Sequence, residues 1–308
     1  MREGRRLLPR TGRGLLRAMK RALLLSVVAL MACPSTNAED DGGAGGGSGA
    51  TGGGSGSMKS AKRGIAYDLA SPADLSALRD GVSWSYNWSP SPHVSADAGI
   101  AFVPMLWNFN FNADDVIAYL RAHRDVHAVM VLNEPNLTDQ SNQTPQQAAD
   151  NWPKYEALAQ DAGVTLVGPQ LTWGTMPGYA DPVVWMDAFY DAYRGAHDGG
   201  DPRVDVIGFH WYDYGLTGQL DRLTKYGKPF WVTEMSNWHV GDGAAAIDTA
   251  EKQATQLTEM VAACEARSDV ERYAWFTGRW DNDVHFTSLL SDAGVLTPLG
   301  ETYVNAPY

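Results

Sequence analysis

From residue 63 onward, short apolar runs that end on a polar or aromatic residue alternate with longer runs whose apolar positions fall three and four apart. The first kind reads as strands buried on both faces, the second as amphipathic helices. Strands are predicted at 64–67, 82–86, 101–106, 128–132, 165–168, 204–210, 230–233 and 272–276. Helices include 114–123, 144–162, 182–193 and 244–266, with Asp, Thr or Pro near several starts and Gly163 and Gly195 near two ends. Eight strands and seven crossovers in about 246 residues predict an α/β fold, a single (β/α)8 barrel and not an open doubly wound sheet. No internal repeat interrupts the pattern.

Two of these strands stop on a glutamate: Val131-Leu132-Asn133-Glu134-Pro135-Asn136 and Phe230-Trp231-Val232-Thr233-Glu234-Met235. A carboxylate at the end of a doubly buried strand is exposed in a cleft or held for chemistry. They close the fourth and seventh strands, and in a barrel the C-terminal strand ends build the active site. Two such groups are what glycosidic bond cleavage needs, one acid to protonate the leaving oxygen and one carboxylate to attack or to activate water. The other strand ends carry Trp84, Trp88, Trp107, Asn108, Gln170, Trp173, His210, Tyr212, Trp275 and Trp280, with Trp238 beyond the seventh. Sugars offer flat C–H faces to aromatic rings, so Trp107, Trp173, Trp238 and Trp280 are candidate sugar platforms. Trp152, Trp185 and Trp211 fall inside predicted helices or strands and belong to the core. His210 and Tyr212 are two apart and share one face of the sixth strand.

These segments resemble glycoside hydrolase family 128, the glycosyl hydrolase catalytic core group of β-1,3-glucanases, within the clan of retaining barrel glycosidases that keep glutamates on strands four and seven. The features that carry the resemblance are Leu132-Asn133-Glu134-Pro135-Asn136, Val204-Asp205-Val206-Ile207-Gly208-Phe209-His210-Trp211-Tyr212, Trp231-Val232-Thr233-Glu234 and Tyr273-Ala274-Trp275-Phe276, within residues 63–305. The resemblance implies Glu134 as acid/base, Glu234 as nucleophile, Asn133 on the sugar 2-hydroxyl, and His210 or Tyr212 orienting Glu234. It implies a β-glucan substrate with β-1,3 linkages cut in endo mode. Where the family pattern continues with an aromatic and Gly, this chain has Met235-Ser236, which bears on the neighbouring subsite. Other readings are a non-catalytic carbohydrate-binding surface protein of the same fold, and a hydrolase of another β-linked polysaccharide.

Residues 1–21 are basic, residues 22–32 are apolar, and Cys33 follows. That is the layout of a secretory signal, too short in its apolar part for a permanent span. Leu30-Met31-Ala32-Cys33 is similar to a bacterial lipobox, so residues 1–33 are expected to form a lipoprotein signal with Cys33 as the lipidated residue, Met19 being a possible start. The alternative is a plain cleaved signal, leaving the chain secreted. Residues 34–61 form a linker in which ten of the sixteen residues from 42 to 57 are Gly, and residues 62–308 form the catalytic domain. Such a linker behaves as a flexible coil with an r.m.s. span of roughly 29 Å. The expected location is a bacterial surface or periplasm.

Loss of residues 1–32, with eight Lys+Arg and one acidic residue, takes the formal charge from −12 to −19. That argues against nucleic acid and against anionic membrane surfaces other than through the lipid, and is indifferent to neutral sugars. Cys264, on a helical run, reads as a buried hydrophobe without a disulfide. No cofactor or metal is expected: His123 and His127 straddle a helix end, Asp281-Asn282-Asp283 reads as a turn, and no Gly-rich phosphate loop or Gly-x-Ser-x-Gly elbow follows a strand. The protein is expected to act as a monomer.

Overall fold

A computed structural model describes residues 59–93, 99–241 and 243–308. Cys33, the signal and most of the linker lie outside the described residues. The main sheet runs in the order β3-β2-β1-β9-β8-β7-β6-β5-β4, every neighbouring pair parallel. Its strands are β1 (Arg63–Ala66), β2 (Trp84–Tyr86), β3 (Ala101–Phe102), β4 (Met105–Leu106), β5 (Ala128–Val131), β6 (Thr165–Leu171), β7 (Val206–Trp211), β8 (Phe230–Met235) and β9 (Val270–Trp275).

The two ends of that order, β3 and β4, are halves of the predicted third strand, parted by Val103-Pro104. Pro104 has no N–H to give a ladder, which breaks the strand there. Val103 N donates to Ser85 O on one side and Pro104 O accepts from Met130 N on the other, so the sheet closes through the break into an eight-stave barrel. Beyond the barrel, β10 (Leu290–Asp292) and β11 (Val295–Leu296) form a small antiparallel ribbon.

The described helices are α1 (Pro72–Leu78), α2 (Ala113–Ala122), α3 (Pro145–Asn151), α4 (Pro153–Ala162), α5 (Pro182–Ala196), α6 (Leu216–Leu223), α7 (Ala250–Ala266) and α8 (Pro298–Val304). Their starts follow local chemistry: Ser71, Asn112, Asp181, Thr249 and Thr297 cap backbone N–H groups, and Thr144 with Gln147 forms a capping box. The single helix expected over 144–162 is two, because Pro153 starts a new one. Gly163 ends α4 in the left-handed conformation (φ 69°), but α5 runs through Gly195 to His197. The helix expected from 244 begins at Ala250, after a 3-10 turn at Gly243–Ala245.

The core lies between staves and helices. Trp152, Trp185 and Trp211 are buried in it, each indole donating to a backbone carbonyl. Trp84, Trp275 and Gln170, expected at the mouth, are also core; the Gln170 amide accepts from Thr233 Oγ1 and donates to Val167 O inside the wall. Cys264 is a free, fully buried thiol, its pKa pushed up to about 12 by burial. At the base, where the strands begin, Arg63 binds the end of the chain: its guanidinium donates to the carbonyls of Tyr303 (3.0 Å) and Ala306 (2.8 Å) and to the Tyr273 hydroxyl (2.9 Å).

Candidate active site

Glu134 follows β5 and Glu234 lies within β8, the fourth and seventh staves, and each is only 5 % exposed. The β5 end is tightly bent: Leu132 (φ 57°) and Glu134 (φ 42°) both take the left-handed conformation, which non-glycine residues adopt at a cost of about 1–3 kcal/mol. Asn133 N donates to Trp107 O and Glu134 N to Gln170 O, which fixes the bend against the staves on either side.

Three neutral donors surround Glu234. Oε1 accepts from the Tyr86 hydroxyl and from Trp88 Nε1, each at 2.8 Å, and Oε2 accepts from the Tyr212 hydroxyl. They stand in for the water that burial has removed. Burial, and then the Glu234 charge, raises the pKa of both phenols well above the usual tyrosine value, so both keep the protons they donate. His210, fully buried, lies between the glutamates, its Nδ1 2.9 Å from Glu134 Oε1 and 3.5 Å from Glu234 Oε2. Burial alone would lower the His210 pKa, but the charges of Glu234 and Glu134 outweigh it and raise it. Burial raises the Glu134 pKa and the Glu234 charge adds to the rise, while the hydrogen bond and charge of His210 oppose it.

One oxygen of each glutamate and one ring nitrogen of His210 lie within 4.8 Å of one another, close enough to converge on a cation. The donors already seated on Glu234 and the short Glu134–His210 contact instead fit a hydrogen-bonded acid pair. Two carboxyl groups this close, one with a raised pKa and one held by neutral donors, are equipped to give a proton and to supply a carboxylate at the same bond.

Asn133 is 1 % exposed, with Nδ2 donating to Gln140 (3.3 Å) and Oδ1 without a partner among the described residues. Trp238 joins Tyr212 (ring centroids 4.1 Å apart), Phe276, Trp280 and His285 in one aromatic wall that continues to Trp88. Trp107 is partly buried next to Asn133, its indole nitrogen without a partner among the described residues. Trp173 stands on the loop after β6, 42 % exposed, with the Arg222 guanidinium 5.3 Å over its ring. That loop is fastened by Asn136, whose amide donates to Thr172 O and Ala180 O and whose carbonyl accepts from Thr175 N and Met176 N. Sequence alone does not tie Tyr86 and Trp88 to Glu234. The alternation Trp84-x-Tyr86-x-Trp88 on one face of the second stave was the available sign, since Trp84 is core and the next two reach the carboxylate.

The model of the glycosyl hydrolase catalytic core matches residues 64–303. An endo-β-1,3-glucanase of family 128, subgroup II, from Pseudomonas viridiflava is 56 % identical, with a TM-score of 0.80 over 82 % of this chain and 100 % of that one. The chain belongs to glycoside hydrolase family 128. As a family 128 protein it is a glycosyl hydrolase, and its barrel is shared by more distant members. A subgroup II endo-β-1,3-glucanase from Sorangium cellulosum is 33 % identical (TM-score 0.66; 80 % of this chain, 98 % of that one). A subgroup I endo-β-1,3-glucanase from Amycolatopsis mediterranei, solved with laminaritriose, is 27 % identical (TM-score 0.63; 80 % and 100 %). No curated protein matches the chain.

Proposed function

We propose that this family 128 protein is a retaining endo-β-1,3-glucanase, with Glu134 as acid/base and Glu234 as nucleophile. The observation that carries the proposal is the approach of Glu134 and Glu234 oxygens to within 4.8 Å. Retaining enzymes hold their carboxyl groups about 5–5.5 Å apart, whereas inverting enzymes leave about 6.5–9.5 Å for a water. The β-1,3 linkage and endo mode are supported by the names of the subgroup I and II relatives. Glu134 gives its proton to the glycosidic oxygen while Glu234 attacks the anomeric carbon; Glu134, now a carboxylate, takes a proton from the water that releases the sugar. Asn133 and the aromatic wall of Trp238 and Trp280 serve sugar binding, with Trp107 and Trp173 as further platforms. The protein is exported and held at a membrane by lipid on Cys33.

The test is reducing-sugar release from laminarin, barley mixed-linkage glucan and mannan by the full chain beside Glu134→Gln and Glu234→Gln, with the first product's anomer read by NMR. Laminarin turnover giving the β-anomer is expected, with each variant losing at least about 10²–10⁴-fold. An α-anomer would mean inversion. Binding without turnover would make the chain a carbohydrate-binding protein.

A further inference from the structure

The two oxygens of Glu234 are not equivalent. A carboxylate offers about four lone-pair sites, two on each oxygen. On Oε1 both are occupied, by the Trp88 indole and the Tyr86 hydroxyl at 2.8 Å each. On Oε2 the Tyr212 hydroxyl occupies one. The remaining neighbour of Oε2, His210 Nδ1, is 3.5 Å away and is engaged at 2.9 Å with Glu134. Among the described residues nothing else is placed on Oε2, which leaves one of its lone pairs open. Oε2 is also the oxygen on the Glu134 side, since His210 Nδ1 touches Glu134 and reaches Glu234 through Oε2. The anomeric carbon must lie between the acid's proton and the attacking oxygen, which is the space beside Oε2.

Resting on the retaining mechanism proposed above, we infer that Oε2 is the atom that bonds to the sugar, and that Trp88 and Tyr86 are a pair of positioning residues that hold Oε1. In the first step the open lone pair of Oε2 forms a bond to the anomeric carbon. The glycosidic C–O bond breaks, and its electron pair stays on the leaving oxygen, which takes the proton of Glu134. In the second, a water oxygen bonds to that carbon and its proton passes to the Glu134 carboxylate. The C–Oε2 bond breaks, returning its pair and the negative charge to Glu234. Oε1 passes from half of a carboxylate to an ester carbonyl and back, accepting from the same two donors throughout.

Trp88 is built into this role. Its backbone is left-handed (φ 59°), an outlier for so bulky a side chain. Its ring edge packs on Tyr86 (5.2 Å) and Phe276 (5.9 Å), so neighbours on two staves set the direction of its N–H. Neither donor carries a charge, so the pair orients Glu234 without forming a salt bridge that would bind it as a fixed ion pair. The donors matter most when charge returns to Glu234, that is, as the sugar leaves it. Loss of one should slow release more than attachment and let the covalent intermediate build up.

Two measurements test this on the full chain. The first is the crystal structure of the adduct formed with 2-deoxy-2-fluoro-laminaribiosyl fluoride. The expected result has the anomeric carbon on the oxygen facing Tyr212, with Trp88 and Tyr86 still hydrogen-bonded to the other. A sugar on the oxygen facing Trp88 would overturn the inference and leave the retaining mechanism standing. No adduct from an enzyme that turns over laminarin with α-anomeric product would overturn both. The second is steady-state kinetics of Trp88→Phe and Tyr86→Phe on laminarin. Each should lower kcat roughly tenfold and lower KM with it, the loss of one hydrogen bond to a charged group acting on release. A loss of kcat with KM unchanged or raised, in variants that keep the wild-type thermal midpoint, would assign Trp88 and Tyr86 to packing alone. Should Trp88→Phe not fold, Tyr86→Phe and the adduct carry the test.

Discussion

Burial raises the affinity of Glu134 for its proton, and His210 opposes that rise from 2.9 Å away. In the acid/base role proposed for Glu134 the acid is active while its proton is on, so activity falls as pH rises through the Glu134 pKa. Removing the imidazole removes the opposing influence and sends the Glu134 pKa further up. His210→Phe should therefore move the alkaline limb of kcat/KM on laminarin to higher pH while lowering its height, and a limb that stays in place would mean that His210 does not act on Glu134. His210 Nε2 has no partner among the described residues, so the change strands no hydrogen bond there on that side of the ring. At this scale the sequence was informative where a buried strand must end: apolar runs that stop on Glu134 and Glu234 leave little else for those carboxyls to do. It put Tyr86 and Trp88 on one face without tying them to Glu234, because alternation tells which face a side chain takes and not whether its polar tip reaches a carboxylate across the barrel.

Among the elements, the contact of β6 with β7 has little room to change. A Cβ built on Gly208 would come within 2.0 Å of Gln170 Oε1, the atom that accepts from Thr233 beside Glu234. Gly208→Ala must push Gln170 off this hydrogen bond or part the two staves. Overpacking of this kind costs about 1–3 kcal/mol, a fall in Tm of roughly 2–10 °C for a domain of this size. Calorimetry on the variant checks it, and an unchanged Tm would show that the wall yields freely. The alternation of elements was legible from apolar runs and turn residues, since both staves and helices bury long uninterrupted faces. The breaks were less so. Pro104 and Pro153 each remove one N–H, and whether that bends, splits or ends an element depends on what the neighbouring staves offer in return.

Over the whole molecule, the first stave holds the last helix. Arg63 is 1 % exposed; its guanidinium donates to the Ala306 carbonyl and is a second donor to that of Tyr303, which also accepts from Ala306 N. Replacing it with methionine keeps much of the bulk and takes the donor from the Ala306 carbonyl, at about 1–3 kcal/mol where water does not reach it. Arg63→Met should lower the urea midpoint at an unchanged slope, because the loss lies in the folded state, and a midpoint equal to the wild type would sink the idea of a clasp. Nothing in a lone arginine at the head of a strand announces a partner 240 residues away; closure of the barrel brings the two together. The clasp also fixes a geography. Lys59 and Lys62, just ahead of Arg63, donate to backbone carbonyls near the same base, Lys59 to Val82 and Lys62 to Cys264 among others. The polypeptide therefore enters the barrel at the pole opposite the strand ends that carry Glu134 and Glu234. A tether joined at Lys59 would leave from the floor of the barrel, and the mouth would stay clear for substrate.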